Sequence, residues 1–274
     1  MKVAVTGASG FIGRHVLSVL LEHEVKIVSV TRDAARLAEL GEAVRIVEMD
    51  IAHATPDCFE QLDRPDVLIH LAWDGLPNYK SLHHFETELP RQYHFLNSMI
   101  NAGLPSLLVT GTCFEYGMQS GALSAVMPTN PTNPYGYAKD ALRQQLEFLR
   151  SAKPFNLTWG RLFYMYGEGQ PATSLYSKLR EAVLRGDKIF NMSGGEQLRD
   201  YLPVGEIARQ IVQLALAQND MGSVNICSGA PISVRRLAEQ WLYENNWEIE
   251  LNLGYYPYPD YEPLAFWGDP LPSK

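Results

Sequence analysis

"VAVTGASGFIG", residues 3–13, decides the fold. A short β-branched run stops at a glycine-rich turn with glycines at 7, 10 and 13. An apolar helical pattern begins at once, from about Phe11 to His23. The order is strand, tight turn, helix. Glycine allows the turn and lets another group come close to the backbone, and the helix N-terminus carries free N–H groups. Alone the spacing is a weak signal, because a plain glycine-rich turn looks the same. The flanking sequence must decide.

Outward from this stretch the pattern repeats. "VKIVSVT" (25–31) precedes a short helix through Leu40, and "VRIVEMD" (44–50) and "DVLIHLA" (66–72) follow. A helical pattern near 86–102 leads into "SLLVTG" (106–111). Asn133 and Pro134 read as an N-cap and a first helical position, opening a helix to about Ser151. "FNLTWGRLFYMYG" (155–167) is a strand running into a loop. β-branched runs separated by helices predict an α/β protein with a doubly wound parallel sheet. After Gly167 the elements shorten, with helices near 174–185, 204–217 and 233–245. The expected division is a dinucleotide-binding domain, 1–167, and a smaller, mostly substrate-binding domain, 168–274. Some of 196–230 is expected to return to the first. The tail "GYYPYPDYEPLAFWGDP" is too aromatic for a free disordered end, so it should pack on the body or on a partner.

Composition narrows the function. The 274 residues carry a net charge of −8 with no long basic block, which argues against nucleic acid or an anionic membrane as partner. No apolar run reaches spanning length, and the chain enters a strand pattern directly. Cys58, Cys113 and Cys227 are scattered and odd in number, which fits a reducing cytoplasm with neither disulfide framework nor zinc site. No metal is expected, and a homodimer is left open.

With the strand before it and the helix after it, the turn reads as a dinucleotide site. Gly7, Ser9, Gly10, Phe11 and Ile12 would cradle a pyrophosphate. An acidic residue at the end of the second strand would bind the ribose 2′-hydroxyl of NAD. Here Thr31 and Arg32 stand there, with Asp33 one later, and a guanidinium suits the 2′-phosphate of NADP. NADP(H) is therefore favoured over NAD(H), with Arg14 and Arg36 as helpers; a merely solvated Arg32 is the plain alternative. Asp50 and Ile51 would flank adenine. Leu71 and Ala72 would lie under the cofactor, and His70 is read as structural.

"NPYGYAKDA" (133–141) raises the question of which tyrosine works with Lys139. Residues four apart on a helix share a face and residues two apart do not, so Tyr135 can meet Lys139 and Tyr137 points elsewhere. A nearby ammonium would favour phenolate and lower the tyrosine's pKa. On this nonamer alone, a partly buried tyrosine beside a solvated lysine is the favoured reading.

Six pieces, "TGASGFIG", "HLAW", "GTCFEYG", "NPYGYAK", "GRLFYMYG" and "GGEQLRDYLPV", occur together in this order. The sequence thereby resembles the extended short-chain dehydrogenase/reductases, in their NAD(P)-dependent nucleotide-sugar epimerase/dehydratase/reductase branch, over almost the whole chain. The resemblance implies a Rossmann sheet. It implies a catalytic Tyr-x-x-x-Lys pair at Tyr135 and Lys139, with Lys139 also on the nicotinamide ribose, and a substrate-orienting hydroxyl at Thr112. It implies substrate contacts from Tyr164, where relatives carry an asparagine, and from Arg199 on the diphosphate; a structural Arg199–Asp200 pair is the alternative. A site-supporting helix asparagine falls on Glu88. Glu115 replaces the usual Val. The Asp-Glu of dehydratases is replaced by Cys113 and Phe114, and Cys113 reads as a core residue.

Taken together, the expected activity is NADPH-dependent reduction of a nucleotide-activated 4-keto-6-deoxyhexose, such as a dTDP-4-dehydro-6-deoxysugar, in deoxysugar and surface-polysaccharide synthesis. The alternative is an NAD-dependent nucleotide-sugar 4-epimerase, since the same trio serves both. A non-catalytic NADP-sensing scaffold is disfavoured by the presence of both Tyr135 and Lys139.

Overall fold

A computed structural model describes residues 1–270. Seven strands form one parallel sheet: β1 (Lys2–Thr6), β2 (Lys26–Thr31), β3 (Arg45–Glu48), β4 (Val67–His70), β5 (Ser106–Thr112), β6 (Asn156–Leu162) and β7 (Gly222–Ile226). Their order is β7-β6-β5-β4-β1-β2-β3, and every neighbouring pair is parallel. The chain order reverses between β1 and β4. In such sheets ligands bind beyond the carboxyl ends of the strands at this switch point.

Both sheet faces are covered because the strands bury both. On β1, Val3 and Val5 face one cluster and Ala4 the other; on β4, Val67 and Ile69 oppose Leu68. One face packs on α1 (Phe11–Leu20) and the other on α2 (Leu89–Asn101) and α3 (Pro134–Ala152). α1 buries Gly13, Val16, Leu17 and Leu20, a spacing of three and four. Each large apolar side chain among them contributes about 1.5–3 kcal/mol. α2 starts later than its pattern suggests. Pro90 offers no N–H, and the chain makes a wider π-type turn over His84–Glu88 first.

β7 has no counterpart among the strands read from the sequence. It is five residues long, bounded by Gly222, and carries Ser223 and Asn225, so its β signal is weak. With α5 (Val204–Ala217), which packs on α1, it extends the sheet layer beyond residue 167. Before these in the chain lies α4 (Leu175–Arg185), and after them α6 (Val234–Asn245). Leu179, Met192, Leu237, Ala238 and Trp241 form a separate core there. The aromatic tail packs on the body, where Phe266–Gly268 pairs in parallel with Gly121–Leu123. Among the described residues, no helix is long and apolar enough to cross a membrane.

Candidate active site

Two cavities meet the carboxyl ends of the strands. The first, about 270 Å³, is lined by Gly7, Ser9 and Gly10 of the turn, by Thr31, Arg32, Asp33 and Arg36 after β2, by Asp50 and Ile51, and by Leu71 to Asp74 after β4. The turn has a positive φ of 69° at Gly7, and a methyl there would lie 2.8 Å from the Ala72 nitrogen. Only glycine fits. No side chain caps α1 at Gly10, so the helix N-terminus is open to an anion. The residues present therefore fit a dinucleotide's pyrophosphate. Of the residues expected there, Phe11 turns its ring to the second cavity and Ile12 packs beside the core. Arg14 does not line the cavity; its guanidinium bonds Glu39 and the Arg36 carbonyl. Arg32 is 3.2 Å from Asp74 and its side chain is 67% exposed, so this pair is a weak tether.

The second cavity, about 770 Å³, has an aromatic wall of Tyr79, Tyr164, Tyr166, Tyr176, Tyr201, Trp241 and Tyr261. Among its described lining residues Lys80 alone carries a charge.

Tyr135, Lys139 and Thr112 are buried and line neither cavity; Trp73 of the first and Tyr79 of the second pack against the Tyr135 ring. Helical spacing puts Tyr135 and Lys139 on the covered face of α3. Tyr137 is 54% exposed, edge-on to Phe85. Trp73, Tyr79, His84 and Phe114 surround the Tyr135 ring. Lys139 Nζ donates to the Thr110 carbonyl at 2.8 Å and sits 4.1 Å from the Trp73 ring centre. Thr112 Oγ1 accepts from the Phe114 N–H at 3.3 Å. That bond uses one lone pair and leaves the hydroxyl proton for another partner.

The electrostatics correct one expectation. Tyr135 does not have a lowered pKa. Burial raises it, Tyr79, Glu115 and Cys113 add to the rise, and the Thr112 hydroxyl opposes it. Lys139 does not reverse this, because its ammonium is directed to Thr110 and Trp73. Burial also brings Lys139 down to about 7, against the pull of Glu115 and Glu88. An unfolded lysine titrates near ~10.4, so between pH 7 and about 10 the unfolded chain binds the extra proton. Wild-type stability therefore gains with pH across that window. Ligand-free Lys139→Met protein should melt above wild type at pH 6, with the gap closing toward pH 10. A gap that does not move with pH would mean that Lys139 is not a buried, titrating ammonium.

Behind the trio runs a chain of buried polar groups. Thr6 Oγ1 pairs with His70 Nδ1 at 2.8 Å, His70 Nε2 with Gln92 Oε1 at 2.7 Å, and Gln92 Nε2 donates to Glu88 at 2.9 Å. Gln92 fixes the tautomer: with its amide nitrogen on Glu88, its oxygen must accept from His70 Nε2–H. Burial, then Lys139, holds His70 at about 3, so it is neutral and structural. Glu88 also accepts from the Asp74 N–H at 3.1 Å. Cys113 is buried, and burial raises its thiol pKa far above the ordinary value.

Arg199 is not open to a diphosphate. It is 2% exposed, 3.0 Å from Glu262, and donates to the Leu198 and Leu264 carbonyls. It does not pair with Asp200, which instead accepts from the Ser228, Gly229 and Gly268 N–H groups. The Tyr164 hydroxyl also bonds Glu262, although its ring faces the second cavity. Glu115 forms a buried ion pair with Arg161 at 2.7 Å. Sequence reasoning had no signal for Trp73 over Lys139 or for Glu262 on Arg199, each joining distant parts of the chain. The Glu115–Arg161 pair left a trace, an acid where relatives have valine. Among the described residues, no three His, Cys, Asp or Glu side chains gather to hold a metal ion.

Comparison with known proteins places this geometry. The model of the NAD dependent epimerase/dehydratase family matches residues 3–227. A dTDP-6-deoxy-L-talose 4-dehydrogenase (NAD(+)) of Aggregatibacter actinomycetemcomitans is 31% identical over 270 residues, covering 98% of this chain and 99% of that one. A dTDP-6-deoxy-L-talose 4-dehydrogenase (NAD(P)(+)) of Kitasatospora kifunensis is 25% identical, covering 91% and 81%. The solved structure of MoeE5 in complex with UDP-glucuronic acid and NAD superposes with a TM-score of 0.81 at 26% identity, covering 99% and 90%.

Proposed function

The chain belongs to the NAD-dependent epimerase/dehydratase family, and from that premise we propose that it reduces a dTDP-linked 4-keto-6-deoxyhexose at C4 with NADPH. A 4-dehydrogenase, as two relatives are named, runs the same step in the opposite direction. One active site serves both directions, because the transition state is shared. The observation that carries the reductive reading is Tyr135, a phenol that burial keeps protonated, beside the Thr112 hydroxyl and Lys139.

When bound, the dinucleotide supplies the hydride. Gly7, Ser9 and Gly10 would hold its pyrophosphate, and Leu71 and Ala72 would lie beneath it. Thr112 orients the carbonyl with its free hydroxyl proton. Tyr135 gives its proton to the carbonyl oxygen as charge develops there. Lys139 shares the covered face of α3 with Tyr135 and carries its positive charge only below about pH 7. The aromatic wall of the second cavity suits a nucleoside, and Lys80, held only by a loose, exposed pair with Asp260 at 3.8 Å, is the lining cation that would meet the diphosphate. The test is incubation with a dTDP-4-keto-6-deoxyhexose and NADPH. Stoichiometric cofactor consumption and a reduced sugar are expected. Protein purified with tightly held NAD that interconverts 4-epimers without net cofactor use would make it the epimerase instead.

NADPH is favoured because Arg32 and Arg36 line the cavity end where the adenosine ribose would lie, and no acid ends β2. Arg32→Asp should move the NADH:NADPH ratio of kcat/KM by about 10–100-fold toward NADH, the worth of a charged hydrogen bond. An unchanged ratio removes Arg32 from cofactor choice.

A further inference from the structure

Four buried side-chain N or O atoms lack a hydrogen-bond partner among the described residues: Asn133 Nδ2, Gln145 Oε1, Gln170 Oε1 and Trp241 Nε1. Three of these residues, Asn133, Gln170 and Trp241, line the second cavity. Buried polar atoms are ordinarily satisfied, so unsatisfied ones gathered on one wall call for a ligand. Trp241 has the Tyr166 hydroxyl beside its indole, which leaves Asn133 the sharper case.

Asn133 is 6% exposed and caps α3. Its Oδ1 accepts from the Gly136 N–H at 2.8 Å. That bond fixes which way the amide points. A flipped amide would set its NH₂ against the Gly136 N–H, donor against donor. The NH₂ must therefore be the end without a partner. Tyr135 follows two residues later, and its own N–H donates to the carbonyl of Tyr79, another residue of the cavity wall. The cap thus anchors the start of the helix that carries the proton donor and leaves one N–H₂ group free at the edge of the same cavity.

We propose that Asn133 Nδ2 donates a hydrogen bond to an oxygen of the substrate's sugar, beside the carbonyl that Tyr135 protonates, making Asn133 a substrate-contacting residue as well as a helix cap. The proposal rests on the nucleotide-sugar reading above. Asn133→Ser separates the two roles, since serine caps about as well but is too short to reproduce the amide donor. Asn133→Ser should keep the melting temperature and NADPH affinity of wild type. Its kcat/KM for the dTDP-4-keto sugar should fall about 10–100-fold, as when a buried polar group loses its partner. Asn133→Ala should show the same kinetic loss and also melt earlier. Wild-type kinetics in Asn133→Ser, with only Asn133→Ala melting early, would leave Asn133 a cap alone and overturn the proposal. Equilibrium binding of dTDP-glucose distinguishes this from failure of the reaction itself. A wild type that reduces nothing but binds dTDP-glucose, more weakly after Asn133→Ser, overturns the reaction and keeps the contact. Equal binding by the two proteins overturns the contact, and a wild type that does not bind overturns both.

Discussion

Tyr135→Phe is expected to cut kcat by about 10²–10⁴, the range for loss of a positioned general acid. The phenyl ring still fills the pocket made by Trp73, Tyr79, His84 and Phe114, so the fold and cofactor affinity should hold. Only the proton is lost. Tyr137→Phe is the control. Its side chain lies on the outer face of α3 against Phe85, and kcat should stay within a few fold. The comparison is made at saturating NADPH and sugar, so that binding does not enter. If Tyr137→Phe is the more damaging, the proton donor has been assigned to the wrong face of α3. If neither matters, hydride transfer does not need a tyrosine here. A rate profile adds a second reading. Burial raises the Tyr135 pKa in the ligand-free protein, and where bound ligands leave it raised the reductive rate should have no basic limb from tyrosine below pH 10. A limb below that would mean that bound cofactor brings the phenol down.

The parts of this arrangement that were legible are local. The turn at 7–13, the cap at Asn133 and the four-residue spacing of Tyr135 and Lys139 are all set by neighbours within one helical turn. Periodicity reports such relations directly. The sheet was legible for the same reason, since its long strands are β-branched and its helices carry a clear apolar face. β7 was not, because five residues with a serine and an asparagine give too little pattern. What the sequence could not disclose are contacts between distant segments. Arg199 carries the motif expected for a phosphate contact, yet Glu262 reaches it from the tail. The tail's aromatic content says that it packs somewhere. It does not say that Tyr261 lies on Phe114 or that Glu262 closes on Arg199 and Tyr164. Lys139 was expected to tune Tyr135 by charge. The expectation omitted burial, which outweighs it when both groups are sealed under aromatic rings.

Arg161→Met should destabilise the protein by about 3–5 kcal/mol, the cost of stranding one member of a buried ion pair. Arg161 Nε lies 2.7 Å from a Glu115 carboxylate that is fully buried. Its Nη1 also reaches the Tyr116 hydroxyl at 3.1 Å and the Ala125 carbonyl at 3.0 Å. Without the guanidinium, Glu115 keeps only neutral donors, the Trp159 indole at 2.9 Å and the Thr112 N–H at 2.8 Å. Burial already raises the Glu115 pKa, and Arg161 is the largest force holding it down. In the variant Glu115 should take a proton and titrate within the accessible range. Its folded pKa would then stand still further above its unfolded one than in wild type, so the variant should be least handicapped at low pH and lose ground as pH rises. The double variant Arg161→Met/Glu115→Leu should recover much of the lost stability, since an apolar pair of similar volume often matches a buried ion pair. It should not recover activity. Glu115 closes a capping box with Thr112, its carboxylate holding the Thr112 N–H while the Thr112 hydroxyl takes the Phe114 N–H. Removing Glu115 frees the segment that aims the Thr112 hydroxyl beside Tyr135. Denaturant unfolding and kcat measured on the three proteins separate the two effects. A single variant within about 1 kcal/mol of wild type would mean that water reaches Glu115. A double variant that is both stable and fully active would mean that Thr112 is placed by β5 alone.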